Sequence, residues 1–145
     1  MNIYIDIDKV ILTQDLKPTE HLKKFLELTL KNHNVFWLTT HCKGDASPTT
    51  DHLKQFLPSD VLKLCKKIKP TNWKTFKTEG IDFSKDFIWL DDYIFEKEKA
   101  MLKGQGKLNS WIQIDLAKNP NQLLDILVSE KLDTIKTNKI KNQKK

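Results

Sequence analysis

Arginine is missing altogether: all 25 basic residues of the 145-residue chain are lysine. The arginine fork makes the bidentate contacts to phosphate and guanine on which sequence-specific nucleic-acid readers rely. Its absence counts against that class, although the formal net charge is +6. The charge is also unevenly spread. Residues 131–145 hold six lysines against one acid, Asp133, and so carry +5 of the +6. The rest of the chain is close to neutral. The expected organisation is one globular domain over residues 1–130 followed by a frayed, solvated lysine-rich tail over 131–145.

Cysteine is scarce as well. Cys42 and Cys65 lack metal-type spacing, and two thiols in a chain of this size fit a reducing compartment better than a disulfide scaffold. Cys42 reads as a packed or loop thiol in preference to a reactive one. Long apolar runs are absent, since none approaches the ~20 residues needed to span a bilayer. The start, Met1 to Asp6, has neither the basic residues nor the apolar stretch of a secretory signal. A cytoplasmic location without a membrane partner is the expectation.

What is present is an ordinary globular composition, 39% hydrophobic and 30% charged. Short apolar runs alternate with helical patterns. Ile3-Tyr4-Ile5, Val35 to Leu38, Phe87 to Leu90 and Trp111 to Ile114 read as strands of β-branched and aromatic residues. Leu22, Phe25, Leu26 and Leu30 recur at helical spacing, with Pro18 placed for the first turn of that helix. One or two short helices are expected over residues 50–67, and others over 72–79, 95–102 and 121–130. Continuous apolar strands separated by helices predict an α/β domain, a three-layer Rossmann-like parallel sheet. Trp37, Trp89 and Trp111 belong to the expected core.

In parallel α/β sheets ligands bind beyond the carboxyl ends of the strands. Asp6 and Asp8 follow the first strand, Thr39 and Thr40 the second, and Asp91 and Asp92 the third. Lys69, Lys74 and Lys77 lie upstream of the third. This set suits phosphoryl transfer, because a phosphate dianion repels a carboxylate nucleophile unless a cation and a lysine offset the charge. Mg²⁺ prefers hard oxygen ligands such as these carboxylates. Acids at the end of a buried strand are also hard to explain as structure alone, since desolvating them is costly. Asp92, by contrast, could equally cap a helix. His21, His33, His41 and His52 show no ligand spacing and read as surface or turn residues, with His41 the nearest to the site.

The segment Ile3 to Ile11, with its Asp6-Ile7-Asp8 core, resembles the first motif of the haloacid dehalogenase (HAD)-like superfamily. Val35 to Thr40 resembles the second motif and Phe87 to Asp92 the fourth. The resemblance covers roughly residues 1–115. It implies Asp6 as nucleophile and metal ligand, and Asp8 as general acid/base with its backbone carbonyl on the metal. Thr39 would bind phosphate, and Asp91 would bind Mg²⁺ with Asp92 beside it. Lys77 is the preferred phosphate-binding lysine, ahead of Lys74 and Lys69. Lys9 departs from the pattern, which often has a small residue there. There is room for little or no cap domain, which suits a large or exposed phosphorylated substrate.

The function expected from these features is Mg²⁺-dependent phosphomonoester hydrolysis through an aspartyl phosphate. Two other classes compete. A phosphoacceptor receiver domain uses similar groups, but there the acidic pair comes early in the chain, not late. A catalytically silent HAD-like binding module could hold a polyanion through the lysine tail, although the intact Asp6/Asp8 pair speaks against silence.

Overall fold

The computed structural model describes residues 1–129 and 132. Four short strands form the sheet: β1 (Asn2–Ile5), β2 (Asn34–Trp37), β3 (Phe87–Asp91) and β4 (Trp111–Gln113). Every pairing is parallel and the spatial order is β2-β1-β3-β4. Five α-helices connect or follow them: α1 (Leu22–Asn32), α2 (Ser47–Leu53), α3 (Ser59–Cys65), α4 (Glu96–Gly104) and α5 (Gln122–Leu127).

Why the strands read as unbroken apolar runs is visible in their two faces. Successive strand side chains point to opposite sides, and here both sides are covered. Ile3, Ile5, Val35, Trp37, Ile88 and Leu90 face one core with α1, α2, α3 and α5. Tyr4, Phe87 and Trp89 face the other, with Leu102 of α4 and the loop residues Trp73 and Ile81. Each such side chain contributes about 1.5–3 kcal/mol of transfer free energy when fully buried. The three-layer α/β arrangement expected from the pattern is the one observed. Among the described residues no helix is long and apolar enough to cross a membrane.

Helices α2 and α3 join the same core as α1, and α3 packs directly on α1. They therefore form part of the main body and not a separate cap. Past α3 the chain follows the outer edge of β2 through a bridge from Phe36 to Lys69. It then passes to the opposite face, where Trp73, Ile81 and Phe83 pack.

Several expected boundaries differ. Pro18 does not open α1. It is bridged to Leu12, the Thr19 hydroxyl donates to the Val10 carbonyl, and the helix begins only at Leu22. The helix expected over 72–79 shrinks to a 3₁₀ turn, Lys77–Gly80. Its cause is Glu79, whose carboxylate accepts hydrogen bonds from the backbone N–H groups of Lys74, Thr75 and Phe76. Those donors are satisfied without a helical ladder. The last helix is shorter than expected, Gln122–Leu127. The expected lysine-rich tail lies outside the described residues, Leu132 excepted.

Candidate active site at the strand ends

The order β2-β1-β3-β4 makes the chain turn one way from β1 and then cross back over it to reach β3. Between β1 and β3 the direction of winding reverses, and such a switch point leaves a crevice at the carboxyl ends of the two strands. Asp6 follows β1 and donates its N–H to the Leu90 carbonyl at 3.1 Å. Asp91 is the last residue of β3. The ladder alone therefore delivers both carboxylates to the same crevice.

Lys77 lies between them. Its Nζ is 2.8 Å from Asp91 Oδ2 and 3.2 Å from Asp6 Oδ2. All three side chains are largely out of solvent, at 14%, 1% and 11% exposure for Lys77, Asp91 and Asp6. The other oxygen of Asp6 accepts the Ile7 N–H at 2.8 Å, and Asp91 Oδ1 accepts the Tyr93 N–H at 3.3 Å.

The electrostatics follow from this crowding. Burial, and then the neighbouring Asp6 charge, push Asp91 up to about 8, against the opposing pull of Lys77. Burial lowers Lys77, but Asp6 and Asp91 outweigh it and leave the ammonium above its ordinary value. The site thus holds a permanent cation between two carboxylates, one of which is reluctant to ionise without a further positive charge. Asp6, Asp91 and Asp92 each offer one oxygen, all within 4.8 Å of one another. Such an all-oxygen set could hold a metal ion.

Lys77 is itself held by a residue that sequence reasoning missed. Glu98, in the first turn of α4 and only 2% exposed, accepts the Lys77 N–H at 2.9 Å through one oxygen. Its other oxygen accepts the Phe95 N–H at 2.9 Å. A Glu three residues past the start of a helix is a familiar capping signal, yet nothing in the sequence shows that it also reaches a loop 21 residues away. Of the competing lysines, the Lys69 ammonium is placed away from these carboxylates. Lys69 Nζ lies over the Phe36 ring at 5.7 Å, and the Lys74 carbonyl accepts from Lys43 Nζ.

Asp8 and Thr39 are placed differently from Asp6. The Ile7 carbonyl accepts the N–H groups of Val10, Ile11 and Leu12, so the chain turns sharply there, with Lys9 in the left-handed region at φ 64°. The Asp8 side chain is 58% exposed and lies 3.5 Å from His41 Nε2. Thr39 follows Leu38, whose N–H donates to the Ile5 carbonyl, and is fully buried. Its hydroxyl oxygen accepts the His41 N–H at 3.4 Å. His41 and His52, expected to be plain surface or turn residues, stack on each other with ring centroids 4.2 Å apart. Cys42 and Cys65 are buried and unpaired, and burial pushes the Cys65 thiol up to about 12.

A cavity of about 630 Å³ opens beside Asp92 and Lys9, with Asp15, Lys17, Gln113 and Asp115 among its walls. On another side, Tyr93 and Phe95 stand exposed, in edge contact at 5.8 Å, with Phe76 6.5 Å from Phe95. A second cleft, between α1 and Pro58, contains none of the candidate residues. Comparison with family models, with curated proteins and with solved structures returned no match.

Proposed function

We propose that this chain is a Mg²⁺-dependent phosphomonoester hydrolase of the HAD-like type, working through an aspartyl phosphate on Asp6. The observation that carries the reading is the Lys77 ammonium within 3.2 Å of Asp6 and 2.8 Å of Asp91 at the switch point of a parallel sheet. A salt bridge kept only for stability gains little from such burial, because desolvation offsets much of the attraction. A site built to receive a phosphate dianion needs this combination of nucleophile, cation and metal-binding acids.

Asp6, Asp91 and Asp92 would hold Mg²⁺, with the Asp8 backbone carbonyl as a further oxygen ligand. When bound, the ion neutralises phosphoryl charge and brings Asp91 into its ionised form. An Asp6 carboxylate oxygen attacks phosphorus, and the bond from phosphorus to the ester oxygen breaks. Asp8, exposed and two residues on, gives its proton to the departing alkoxide. In the second half, Asp8 takes a proton from water as the water oxygen attacks phosphorus. The bond from phosphorus to Asp6 then breaks, releasing inorganic phosphate and regenerating the carboxylate. Lys77 balances charge on the phosphoryl oxygens, whereas Thr39, two residues past β2, is fully buried and would need to be uncovered to share that role. The lack of a separate cap and the exposed rim of Tyr93 and Phe95 favour a large or exposed phosphorylated substrate.

The test is hydrolysis of an aryl phosphate with and without Mg²⁺. Wild-type protein is expected to turn over only with the metal, and Asp6→Asn is expected to lose at least ~10³-fold, as an enzyme without its nucleophile does. Equal activity in folded Asp6→Asn would refute the mechanism.

A further inference from the structure

The acidic crevice is not the only group of metal-type donors. Asp8, His41 and His52 each place one donor atom within 4.8 Å of the others. They come from three separate segments: the turn after β1, the turn after β2, and α2. Their association is a product of the fold and has no sequence spacing. His52 Nε2 is withdrawn from solvent with no hydrogen-bond partner among the described residues. A buried ring nitrogen of that kind is costly unless something satisfies it.

We propose that Asp8, His41 and His52 form a second cation site, selective for Zn²⁺ or a similar borderline metal, through which that metal inhibits the hydrolase. Ligand chemistry separates the two sites. Asp6, Asp91 and Asp92 present oxygen alone, whereas this cluster presents two imidazoles and one carboxylate. Imidazole nitrogen suits Zn²⁺, Ni²⁺ and Cu²⁺, while Mg²⁺ stays with oxygen. Three protein ligands and an open fourth position are a usual Zn²⁺ arrangement. Zinc–nitrogen bonds of about 2.0–2.1 Å put tetrahedral donors roughly 3.4 Å apart. The rings of His41 and His52, stacked 4.2 Å apart and 14° from parallel, have to turn toward each other for both nitrogens to point at one ion. Asp8 Oδ2 and His41 Nε2, at 3.5 Å, are already at that spacing.

The consequence for turnover rests on the role given to Asp8 above. A carboxylate bound to Zn²⁺ can neither deliver a proton to the leaving group nor take one from water. Occupation of this site stops hydrolysis without displacing Mg²⁺. His52 belongs to the second site alone, so it is the position at which the two functions separate.

The experiment is titration of the metal-free protein with Zn²⁺ by calorimetry, and with Co²⁺ by its visible absorption, for wild type, His52→Ala, His52→Gln and Asp92→Asn. Losing even an outer partner of a metal ligand costs roughly 10–100-fold in affinity. Both His52 variants are therefore expected to bind Zn²⁺ at least tenfold more weakly, with the Co²⁺ bands reduced, while Asp92→Asn binds normally. Mg²⁺-supported hydrolysis is expected to persist in the His52 variants and to resist Zn²⁺. Undiminished Zn²⁺ binding in folded His52→Gln overturns the proposal, as does binding lost in Asp92→Asn but kept in the His52 variants. Binding is read without turnover. A protein that binds Zn²⁺ through His52 but hydrolyses no phosphate would refute the hydrolase reading, and with it the inhibitory role, while leaving the metal site standing.

Discussion

At the scale of single residues, Lys77 carries the largest electrostatic burden. Replacing it by Met keeps the length of the side chain but leaves Asp6 and Asp91 buried against each other. Removing one partner of a buried charge group costs up to about 3–5 kcal/mol, less to the extent that the remaining carboxylate protonates. Asp91, already pushed up to about 8, provides that release. Lys77→Met is therefore expected to lower the urea midpoint of the metal-free protein markedly and Mg²⁺ to restore part of it. It should abolish most phosphatase activity in either case. Unchanged stability without metal would mean that Lys77 does not neutralise the pair.

Lys9 makes a second residue-scale case. It sits at φ 64°, a region that costs a side chain bearing Cβ roughly 1–2 kcal/mol. Glycine there removes the strain but gives back about 0.5–1 kcal/mol through its freer unfolded state. Lys9→Gly should thus raise stability by up to about 1 kcal/mol, measured by thermal unfolding, where Lys9→Ala should not. The left-handed backbone at Lys9 is the reason for that expectation. A clear loss of stability in Lys9→Gly would contradict it.

At the scale of elements, β1 and β3 were the most legible strands because every residue of each is buried. Runs such as Phe87 to Leu90 cannot be mistaken for loops, and their ends locate Asp6 and Asp91 without further information. The segments between them were less legible. Residues 72–79 were expected to form a helix, but three of their N–H groups are taken by the Glu79 carboxylate. The position of Lys77 among three candidate lysines depends on that same loop and on Glu98 in α4. His41 and His52 come together only through the packing of α2, which no local pattern encodes. Glu98→Gln tests the link between elements. Its amide offers one acceptor where two N–H groups converge, so one donor is left facing an NH₂ group. The expected cost is about 1–3 kcal/mol in chemical denaturation, together with a fall in kcat larger than any change in KM, because the loop bearing Lys77 loses its anchor. A loss of stability with kcat intact would confine Glu98 to a structural role.

At the scale of the whole molecule, the fold and the site are two views of one arrangement. A parallel sheet whose winding reverses between β1 and β3 gathers the ends of distant sequence segments into one crevice. The helices on both faces keep water from the strands, so that carboxylates at the strand ends are desolvated and must find cations. Asp6 is the carboxylate proposed to become covalently phosphorylated. Rapid acid quenching of the Mg²⁺-loaded protein during turnover of an aryl phosphate, followed by mass spectrometry of its peptides, measures this directly. A phosphoryl group on the peptide containing Asp6, absent without Mg²⁺ and absent in Asp6→Asn, is the predicted result. Turnover that leaves Asp6 unmodified at every quench time and persists in Asp6→Asn would contradict the account.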